Sequence, residues 1–348
     1  MPAMENETLP ATLKDVARRA GVSLATVDRV LHGRSGVRET TMRRVQDAVE
    51  QLGFRPHAAA AELARARRFR FAYVMPRGSN AFMHRIGESL DEVKGWLAAR
   101  RAIAEVIETD VFDPAMLAAT LNGLGDRYSG IAVVALDHPL VRTAIDDLAG
   151  RGVHVVTLVS DAPNSRRAHY VGIDNAAAGR TAASLLGRFL GDRRGKVGIV
   201  AGSFALRDHA ERLSGFIQVM AGEHPHLQLL GPEEGRDDPA MNEAITRRML
   251  GAHPDLAGIY NIGAGPEGIA AALVKDARPQ RVMFVTHELM PTTRRFLNLG
   301  IVDALVHQDP GHEARSAARV LLALCSGEAI QASQEKIRIE VIMRDNMY

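Results

Sequence analysis

From Phe69 to the carboxyl end, short apolar runs alternate with longer amphipathic stretches, and this alternation constrains the fold more than any other feature. The amphipathic stretches, for example 86–99, 176–190 and 313–324, have the spacing of helices. Apolar strands separated by helices are typical of parallel sheets with helices on both faces. There are too many strands for one small domain, so the sequence predicts two doubly wound α/β lobes. The predicted strands are 71–75, 104–108, 130–136, 153–159, 196–202, 257–261, 281–286 and 301–307.

The segment that precedes these strands is more basic than the rest of the chain. Between Thr12 and Arg70 there are 13 lysine or arginine residues and six aspartate or glutamate residues, which gives +7 there and −5 for the rest of the chain. A basic segment joined to a mildly acidic body indicates a polyanionic partner for that segment. A solvated helical surface would give the same count, so the charge alone leaves that alternative open.

Three short helices are predicted within this basic segment. Apolar spacing places the first over 13–20 and the third over 39–52, and the second follows Ser23, a good N-cap residue. Thr12 and Asp15 resemble a capping box for the first helix. Two short helices joined by a tight turn, with a third helix to complete the core, form a helix-turn-helix unit. A small helical interaction module is the alternative.

The second helix of such a unit can enter the major groove of DNA with its first residues near base edges. Arg29 can pair with guanine O6 and N7, and Leu24 and Ala25 can contact a thymine methyl group. Hydrogen bonds to phosphates are expected from Thr12, Ser23 and Thr26.

Residues 12–56, TLKDVARRAGVSLATVDRVLHGRSGVRETTMRRVQDAVEQLGFRP, resemble the DNA-binding head of the lactose-repressor/galactose-repressor family without a gap. The resemblance implies a DNA-binding role on a double-stranded operator. The family usually has Ser where this chain has Asp28. A carboxylate there repels phosphate but can accept a hydrogen bond from a cytosine amino group. This departure affects the expected operator sequence and leaves the DNA-binding role intact.

The segment after Pro56, HAAAAELARARR, is a weak helix by itself, because so short a helix is marginal in water. In the family, the corresponding segment folds when two subunits meet over the minor groove, and a Leu from each inserts into the central base step. The resemblance places this role on Leu63, followed by Ala64. Apolar wedges of this kind kink the duplex. Packing of Leu63 against the adjacent domain is the alternative.

Polar side chains follow nearly every predicted strand, and ligands of such sheets bind beyond the carboxyl ends of the strands. Amide, carboxylate and guanidinium groups suit a polyhydroxylated molecule, because each hydroxyl both donates and accepts. Phe82 and Tyr260 can cover the apolar face of a sugar. Ordinary loop chemistry is the alternative for any single residue. The candidate ligand-binding residues are Asn80, Phe82, Asp137, Asp161, Arg207, Arg212, Asn261, Glu288 and Gln308.

The body resembles the type I periplasmic sugar-binding-protein fold that this repressor family carries as its sensor. The ribose-binding-protein branch is the closer likeness, through VGIDNAAAGRTAA, ERLSGF and VDALVHQDP. The resemblance places a ligand-contacting arginine on Arg212, with Arg207 as its competitor. Glu288 lies where the family has the Asp of its Val-x-x-Asp strand end. Asp161 is a weaker match, because Ser-Asp replaces the usual Asp-Arg. Further contacts are implied for Asn80, Phe82 and Gln308.

Several classes of protein are not expected. A single cysteine, Cys325, excludes an intramolecular disulfide and fits a reducing compartment. No GxSxG, P-loop or HExxH motif is present, so we expect no catalysis, no cofactor and no metal site. The amino terminus lacks a signal-peptide pattern, and no run of about 18 apolar residues occurs. The expected location is therefore the bacterial cytoplasm, at the nucleoid, with no membrane partner.

The predicted organisation is a disordered tail (1–11), a helix-turn-helix domain (12–56), a hinge helix (57–68) and a two-lobed ligand-binding and dimerisation domain (69–348). The predicted function is a DNA-binding transcriptional regulator that acts as a repressor. A small sugar or polyol held between the lobes is expected to control it. We expect a homodimer, because no leucine heptad follows Met343. The alternatives are a sugar-binding protein without a regulatory role, a corepressor-dependent regulator and an enzyme that acts on a sugar.

Overall fold

The computed structural model describes residues 12–31, 35–54, 68–78 and 80–347. The chain forms two compact units, residues 1–67 and residues 68–348.

The described residues of the first unit form three helices. They are α1 (Leu13–Ala20), α2 (Leu24–Leu31) and α3 (Glu39–Gln51), and α1 has the predicted bounds. The predicted capping box is present, because the Asp15 N–H donates to Thr12 Oγ1 (3.4 Å) and the Thr12 N–H donates to Asp15 Oδ2 (3.0 Å). Gly21 ends α1 in the left-handed region at φ 62°. The three helices pack around Val16, Ala17, Ala20, Val27, Val45, Ala48 and Phe54.

The second unit begins with a five-stranded sheet. Its strands are β1 (Phe69–Pro76), β2 (Ala102–Thr109), β3 (Gly130–Val133), β4 (His154–Leu158) and β5 (His169–Val171), in the order β2-β1-β3-β4-β5 and all parallel. The helices between them are α4 (Ala81–Ala99), α5 (Pro114–Leu124) and α6 (Pro139–Gly150), followed after α5 by a 3-10 turn at Gly125–Arg127. We call this sheet and its helices lobe 1.

The chain then builds a second sheet, which with its helices we call lobe 2. Its strands are β6 (Gly195–Ala201), β7 (Leu227–Leu229), β8 (Glu233–Glu234), β9 (Leu256–Asn261), β10 (Met283–His287) and β11 (Ala304–His307). They lie parallel in the order β11-β10-β9-β6-β7, with β8 also beside β6. Its helices are α7 (Asn175–Leu190), α8 (Arg207–Glu223), α9 (Pro239–Ala252), α10 (Pro266–Lys275) and α11 (Pro291–Asn298).

The chain passes between the lobes three times. It leaves lobe 1 after β5, and it returns after β11 as α12 (Pro310–Ser326), which packs on α4 and the first sheet. The Tyr73 hydroxyl donates to the Ala314 carbonyl (3.2 Å), which fixes α12 against β1. After α13 (Ala332–Glu335), the chain adds β12 (Glu340–Ile342) antiparallel to β11. One apolar core cluster includes side chains from both lobes, so the lobes share packing where the chain crosses.

The eight predicted strands are all present, and their bounds differ from the prediction by a few residues at most. The prediction of two doubly wound lobes is therefore confirmed. The sequence missed β5, β7, β8 and β12, because strands of two or three residues are too short to show a periodic pattern. Within the described ranges, no helix is long and apolar enough to cross a membrane.

Candidate functional site

The exposed face of α2 carries the side chains that were predicted to reach DNA bases. Ala25 and Arg29 are exposed, and Leu24 remains 45% exposed although it is apolar. Asp28 is half-buried, whereas Val27 is fully buried in the helical core. The helix therefore turns one apolar stripe inward and presents a mixed, partly cationic face outward, as a recognition helix requires.

Hydroxyl groups lie at the starts of α1 and α2. Ser23 Oγ accepts a hydrogen bond from the Thr26 N–H (3.2 Å), and the two hydroxyl oxygens lie 2.9 Å apart. The Thr12 hydroxyl donates to Asp15 Oδ2 (2.6 Å), so the helix cap already uses its proton. The predicted Leu63 and Ala64 lie outside the described residues, as do the tail 1–11 and nearly all of the predicted hinge.

A cavity of about 390 Å³ lies between the two lobes of the second unit. This volume falls within the usual range for a small-molecule site. The wall is formed at the carboxyl ends of the strands and the first turns of the helices that follow, where open α/β sheets bind ligands. Five of the predicted residues line it, namely Asn80, Phe82, Arg212, Glu288 and Gln308.

Five of the side chains that line the cavity carry a buried polar atom that has no hydrogen-bond partner in the part of the chain that the structure describes. These residues are at most 5% exposed, and buried polar groups are normally paired. Leaving such a group unpaired costs about 1–3 kcal/mol. The atoms are Ser160 Oγ, Asp208 Oδ1, Arg212 Nη2, His287 Nδ1 and Gln308 Oε1. The concentration of these unpaired atoms around one cavity marks it as a polar binding site.

Arg212 is held rigidly in the wall by α8. Its Nε donates to Asn175 Oδ1 (2.8 Å) and its Nη1 donates to the Ile262 carbonyl (3.0 Å), which leaves Nη2 without a partner. Helices α7 and α8 cross so closely that a Cβ at Gly179 would lie 1.9 Å from the Arg212 carbonyl oxygen. Glycine at this crossing is therefore what allows α8 to bring Arg212 to the cavity.

Asp208 and His209 lie one helical turn before Arg212 on the same side of α8. His209 Nε2 is 3.6 Å from Asp208 Oδ2, and its Nδ1 is 3.1 Å from the Ser203 nitrogen. Both residues are buried and line the cavity. Asp208 Oδ1 thus adds a hydrogen-bond acceptor beside the donor of Arg212.

His287 ends β10 and is neutral. Its Nε2 lies 2.8 Å from the Tyr260 hydroxyl, and the ring is 4% exposed. Burial, reinforced by the nearby Arg212 guanidinium, holds the pKa of His287 well below its usual range. The imidazole therefore offers Nδ1 to the cavity without adding a positive charge.

Four residues of the cavity wall have a backbone in the left-handed region that favours glycine. They are Val159 (φ 63°), Arg236 (φ 52°), Asp237 (φ 59°) and Glu288 (φ 67°). This conformation is a clear outlier for a β-branched residue such as valine. Strain of this kind persists where the surroundings over-determine it, and it clusters at ligand sites.

Contacts between side chains also join the lobes around the cavity. Each links a residue of lobe 1 to a residue of lobe 2. They are the Asn80–Asp237 hydrogen bond (3.2 Å), the Asp137–Arg207 ion pair (3.5 Å) and the Arg236 guanidinium over the Phe112 ring (5.7 Å). Opening of the cleft would have to break these contacts.

Comparison with protein families gives two matches. The family described as "Periplasmic binding protein domain" matches residues 71–329, and "Bacterial regulatory proteins, lacI family" matches residues 12–57. The chain belongs to the periplasmic binding protein domain family, and its residues 12–57 form a domain of the lacI family of bacterial regulatory proteins. The assignment predicted from the sequence is confirmed.

Curated relatives match only part of the chain. Catabolite control protein A of Streptococcus mutans is 38% identical over 82 residues, 24% of this chain and 25% of the relative. The HTH-type transcriptional regulator pepR1 of Lactobacillus delbrueckii subsp. lactis is 27% identical over 191 residues, 55% of each chain. The chain thus spans about a quarter to a half of the length of these relatives.

The second unit of the chain has the fold of solute-binding proteins. A solute binding protein of an ABC transporter from Burkholderia graminis, solved in complex with D-arabinose, has a TM-score of 0.73 and 22% sequence identity. The similarity covers 81% of this chain and 97% of that protein. The likeness establishes the two-lobed fold.

Four predicted ligand contacts are not among the residues that line the cavity. Asp137 and Arg207 pair with each other, and Asp161 accepts a hydrogen bond from Arg167 Nη2 (2.7 Å). Asn261 Nδ2 donates to Thr286 Oγ1 (3.0 Å). Tyr260, expected to cover a sugar, is fully buried instead and stacks on Phe216 at 4.5 Å between ring centroids. The four that do not line the cavity are Asp137, Asp161, Arg207 and Asn261.

Among the wall residues that were not predicted from the sequence are Asp208, His209 and Asp237. Helical spacing was the signal for two of them, because residues three and four positions before an inward-facing Arg212 share its face of the helix. Asp237 follows the two-residue strand β8, where no periodic pattern exists. Within the described ranges, no cluster of three His, Cys, Asp or Glu residues is placed to hold a metal ion.

Proposed function

We propose that this chain is a sequence-specific DNA-binding transcriptional regulator, acting as a repressor, whose hold on operator DNA is controlled by a small sugar or polyol. One observation carries the proposal: a single chain contains both a helix-turn-helix with an exposed, partly cationic second helix and a cavity lined by unpartnered hydrogen-bonding groups.

On the DNA side, α2 supplies the contacts to bases. Arg29 pairs with a guanine, Leu24 and Ala25 contact thymine methyl groups, and Asp28 selects for a cytosine amino group. The charge of +7 between residues 12 and 70 supplies the attraction to phosphates. Two heads of a homodimer read the two halves of a pseudo-palindromic operator. Leu63 and Ala64 complete the contacts in the minor groove, by resemblance to the family.

On the ligand side, the cavity suits an uncharged polyhydroxylated molecule. Its lining includes five carboxylates (Asp208, Asp237, Asp238, Glu267 and Glu288) and three guanidinium groups (Arg77, Arg212 and Arg236), a balance that disfavours an anion. Hydroxyl groups can satisfy both the donor of Arg212 and the acceptor of Asp208. Phe82 and Phe112 supply apolar surface for the carbon skeleton. The D-arabinose bound by the Burkholderia protein of similar fold supports this class of ligand.

A ligand can control DNA binding only if it binds two states of the protein with different affinity. A ligand with equal affinity for both states does not shift the equilibrium between them. The contacts between the lobes provide two such states, closed with the contacts formed and open with them broken. A tenfold preference corresponds to about 1.4 kcal/mol per site. A sugar that favours the state with low DNA affinity acts as an inducer, and one that favours the other state acts as a corepressor.

We propose no enzymatic activity for this chain, and we place it in the cytoplasm with DNA, one effector and a second copy of itself as partners. The support is the pairing of a lacI-family head with a binding-protein fold. A sugar-binding protein without a regulatory role is the alternative, and it would bind sugars without binding DNA specifically.

The test uses the full-length protein and fragments of its own genome. Fragments retained by the protein are sequenced, and the enriched motif is then measured by fluorescence anisotropy at several salt concentrations, with and without D-arabinose, D-ribose, D-glucose and xylitol. We expect an inverted-repeat motif, a log–log decrease of affinity with salt and a change in affinity with at least one sugar. If no motif is enriched, the proposal that the chain is a transcriptional regulator is overturned. If the protein converts a sugar, the result supports an enzyme.

A thermal-shift screen of the same sugars tests the ligand site by itself. A bound ligand raises the Tm by mass action. D-gluconate serves as the anionic control of similar size to D-glucose. We expect a Tm increase with at least one neutral compound and none with gluconate. The reverse pattern would contradict the proposed ligand class while leaving the DNA-binding role in place.

A further inference from the structure

Glu288 lines the cavity, but its carboxylate is engaged inside the protein. Oε1 accepts a hydrogen bond from Gln308 Nε2 (2.9 Å), and Oε2 accepts one from the Gln308 backbone N–H (3.1 Å). His307 Nδ1 lies 3.0 Å from the same Oε2. The contacts of this carboxylate are therefore made to His307, the last residue of β11, and to Gln308, which follows it.

The backbone of Glu288 is fixed in the conformation that allows these contacts. At φ 67° its N–H donates to the Val306 carbonyl (3.2 Å), and its carbonyl accepts from the Thr293 hydroxyl (2.6 Å). A non-glycine residue held in the left-handed region by contacts on both sides indicates that the position of its side chain matters.

The two ends of the Gln308 side chain differ in what they can do. The amide NH2 only donates and the carbonyl oxygen only accepts, and an ionised carboxylate only accepts. The end that faces Glu288 must therefore be the NH2 group. Gln308 is 1% exposed and lines the cavity, and its Oε1 has no partner among the described residues. The carbonyl oxygen is then the end that remains for a ligand.

We propose that Glu288 is a positioning residue that fixes the Gln308 amide with its carbonyl oxygen available to the ligand, so that this part of the cavity accepts only hydrogen-bond donors. Asp208 Oδ1 is a second acceptor in the same wall. A ligand that pairs with both acceptors offers two donors, as hydroxyl or amino groups do, whereas a carboxylate or phosphate oxygen cannot pair with Gln308 Oε1. This consequence for ligand choice rests on the proposed function, whereas the orientation of the amide does not.

The orientation can be tested by exchanging the two side chains. In Glu288→Gln/Gln308→Glu, the amide at 288 can donate to the carboxylate at 308, and its carbonyl can still accept the backbone N–H of residue 308. In Gln308→Glu alone, two carboxylates face each other, and like charges at this distance oppose each other. The four proteins (wild type, both single variants and the exchange) are melted at about pH 8, where model carboxylates are ionised.

We expect Gln308→Glu to have the lowest Tm and the exchange to recover most of the loss. If Gln308→Glu lowers the Tm equally with Glu and with Gln at position 288, the proposed contact is overturned. A matched control is Asn261→Asp, which also buries a carboxylate in place of an amide, at a side chain whose hydrogen bonds go to the Gly263 carbonyl and Thr286 Oγ1. Addition of Glu288→Gln to Asn261→Asp should not restore the Tm. A restored Tm in that double variant would show a general charge effect and overturn the proposal.

This outcome is distinguishable from that of the proposed function. A rescue by the exchange, together with a sugar panel in which no compound raises the wild-type Tm, would support the amide orientation and reject the proposed ligand class. No rescue, together with a positive sugar panel, would reject the positioning role of Glu288 and keep the ligand class.

Discussion

Asn80 hydrogen-bonds to Asp237 across the cavity, with 3.2 Å between Nδ2 and Oδ2. The same side chain caps α4, because its Oδ1 accepts the N–H groups of Phe82 (3.1 Å) and Met83 (3.3 Å). Asp237 is held in turn by the Ala264 N–H, which donates to Oδ1 (2.9 Å). One amide therefore both begins a helix of lobe 1 and contacts lobe 2.

Replacement of Asn80 should reveal both roles. Asn80→Ala removes an N-cap, worth about 1 kcal/mol, and a hydrogen bond between the lobes, worth about another 1 kcal/mol. Asn80→Ser keeps a capping oxygen and removes only the contact with Asp237. We expect a loss of about 2 kcal/mol in the free energy of unfolding for Ala and about half of that for Ser, measured by urea denaturation.

The control for this pair is Asp113→Ala. Asp113 caps α5 by accepting the Ala115 and Met116 N–H groups, and both of these hydrogen bonds lie at the start of its own helix. Its replacement should cost about 1 kcal/mol, as a cap alone does. Equal losses for Asn80→Ala and Asp113→Ala would show that the contact between the lobes adds nothing.

The sequence predicted the strands of both sheets because most strands of a parallel sheet are buried on both faces and appear as continuous apolar runs. Strand β9 (Leu256–Asn261), for example, is buried throughout. The same reasoning fails for β8, which has two acidic residues and gains its place only by pairing with β6.

The candidate site was predicted less completely, for a reason that Asp137 and Arg207 illustrate. Both follow strands at the edge where ligands bind, as predicted. Strand ends identify that edge of the sheet, but they do not say which way each side chain points. Asp137 pairs with Arg142 (2.6 Å) as well as with Arg207, so it takes part in closing the lobes instead of lining the cavity.

Arg212 should be essential for the ligand response. Its Nη2 is the unpartnered guanidinium donor in the wall, and a hydrogen bond from a charged group contributes about 1.5–3 kcal/mol. Arg212→Lys should therefore weaken binding of any sugar found in the screen by at least about tenfold, measured by calorimetry. Arg212→Ala should in addition lower the Tm, because it leaves Asn175 Oδ1 and the Ile262 carbonyl without their donor.

Arg207→Ala is the matched arginine control. Arg207 is on the same helix but pairs with Asp137 and Glu211 and does not line the cavity. A larger effect on sugar affinity for Arg207→Ala than for Arg212→Lys would transfer the ligand contact to Arg207.

Arg29 should determine one position of the operator. It is exposed on α2, so its replacement should leave the Tm unchanged. Arg29→Ala should cost about 1–3 kcal/mol in discrimination at one guanine, measured by anisotropy with single-base variants of the operator. Arg43→Ala on α3, where Arg43 pairs with Glu39 (2.9 Å), removes the same charge and should not change the base preference. The same loss of discrimination in both variants would refute base recognition by Arg29.

Glu313 is a buried acid in the first turn of α12, where the chain crosses between the lobes. Its side chain is fully buried, and neither carboxylate oxygen has a partner among the described residues. Burial raises the pKa of Glu313 well above its usual value, and the carboxylates of Glu288, Asp309 and Asp208 raise it further, against the opposing effect of Arg212. Burial therefore favours the protonated form of this carboxyl group in the folded protein.

Glu313→Gln should stabilise the protein increasingly as the pH rises. An acid whose pKa is higher in the folded state binds more protons there, so stability is lost as the pH rises from the unfolded value near 4.5 towards the folded pKa. Glutamine is neutral throughout and avoids this loss. The difference in unfolding free energy between Glu313→Gln and wild type should grow by up to about 1.4 kcal/mol per pH unit in that window. Urea denaturation at several pH values above 5 measures it, with Glu328→Gln, at an exposed position, as the control. A difference that stays constant with pH would mean that Glu313 is ionised in the folded protein.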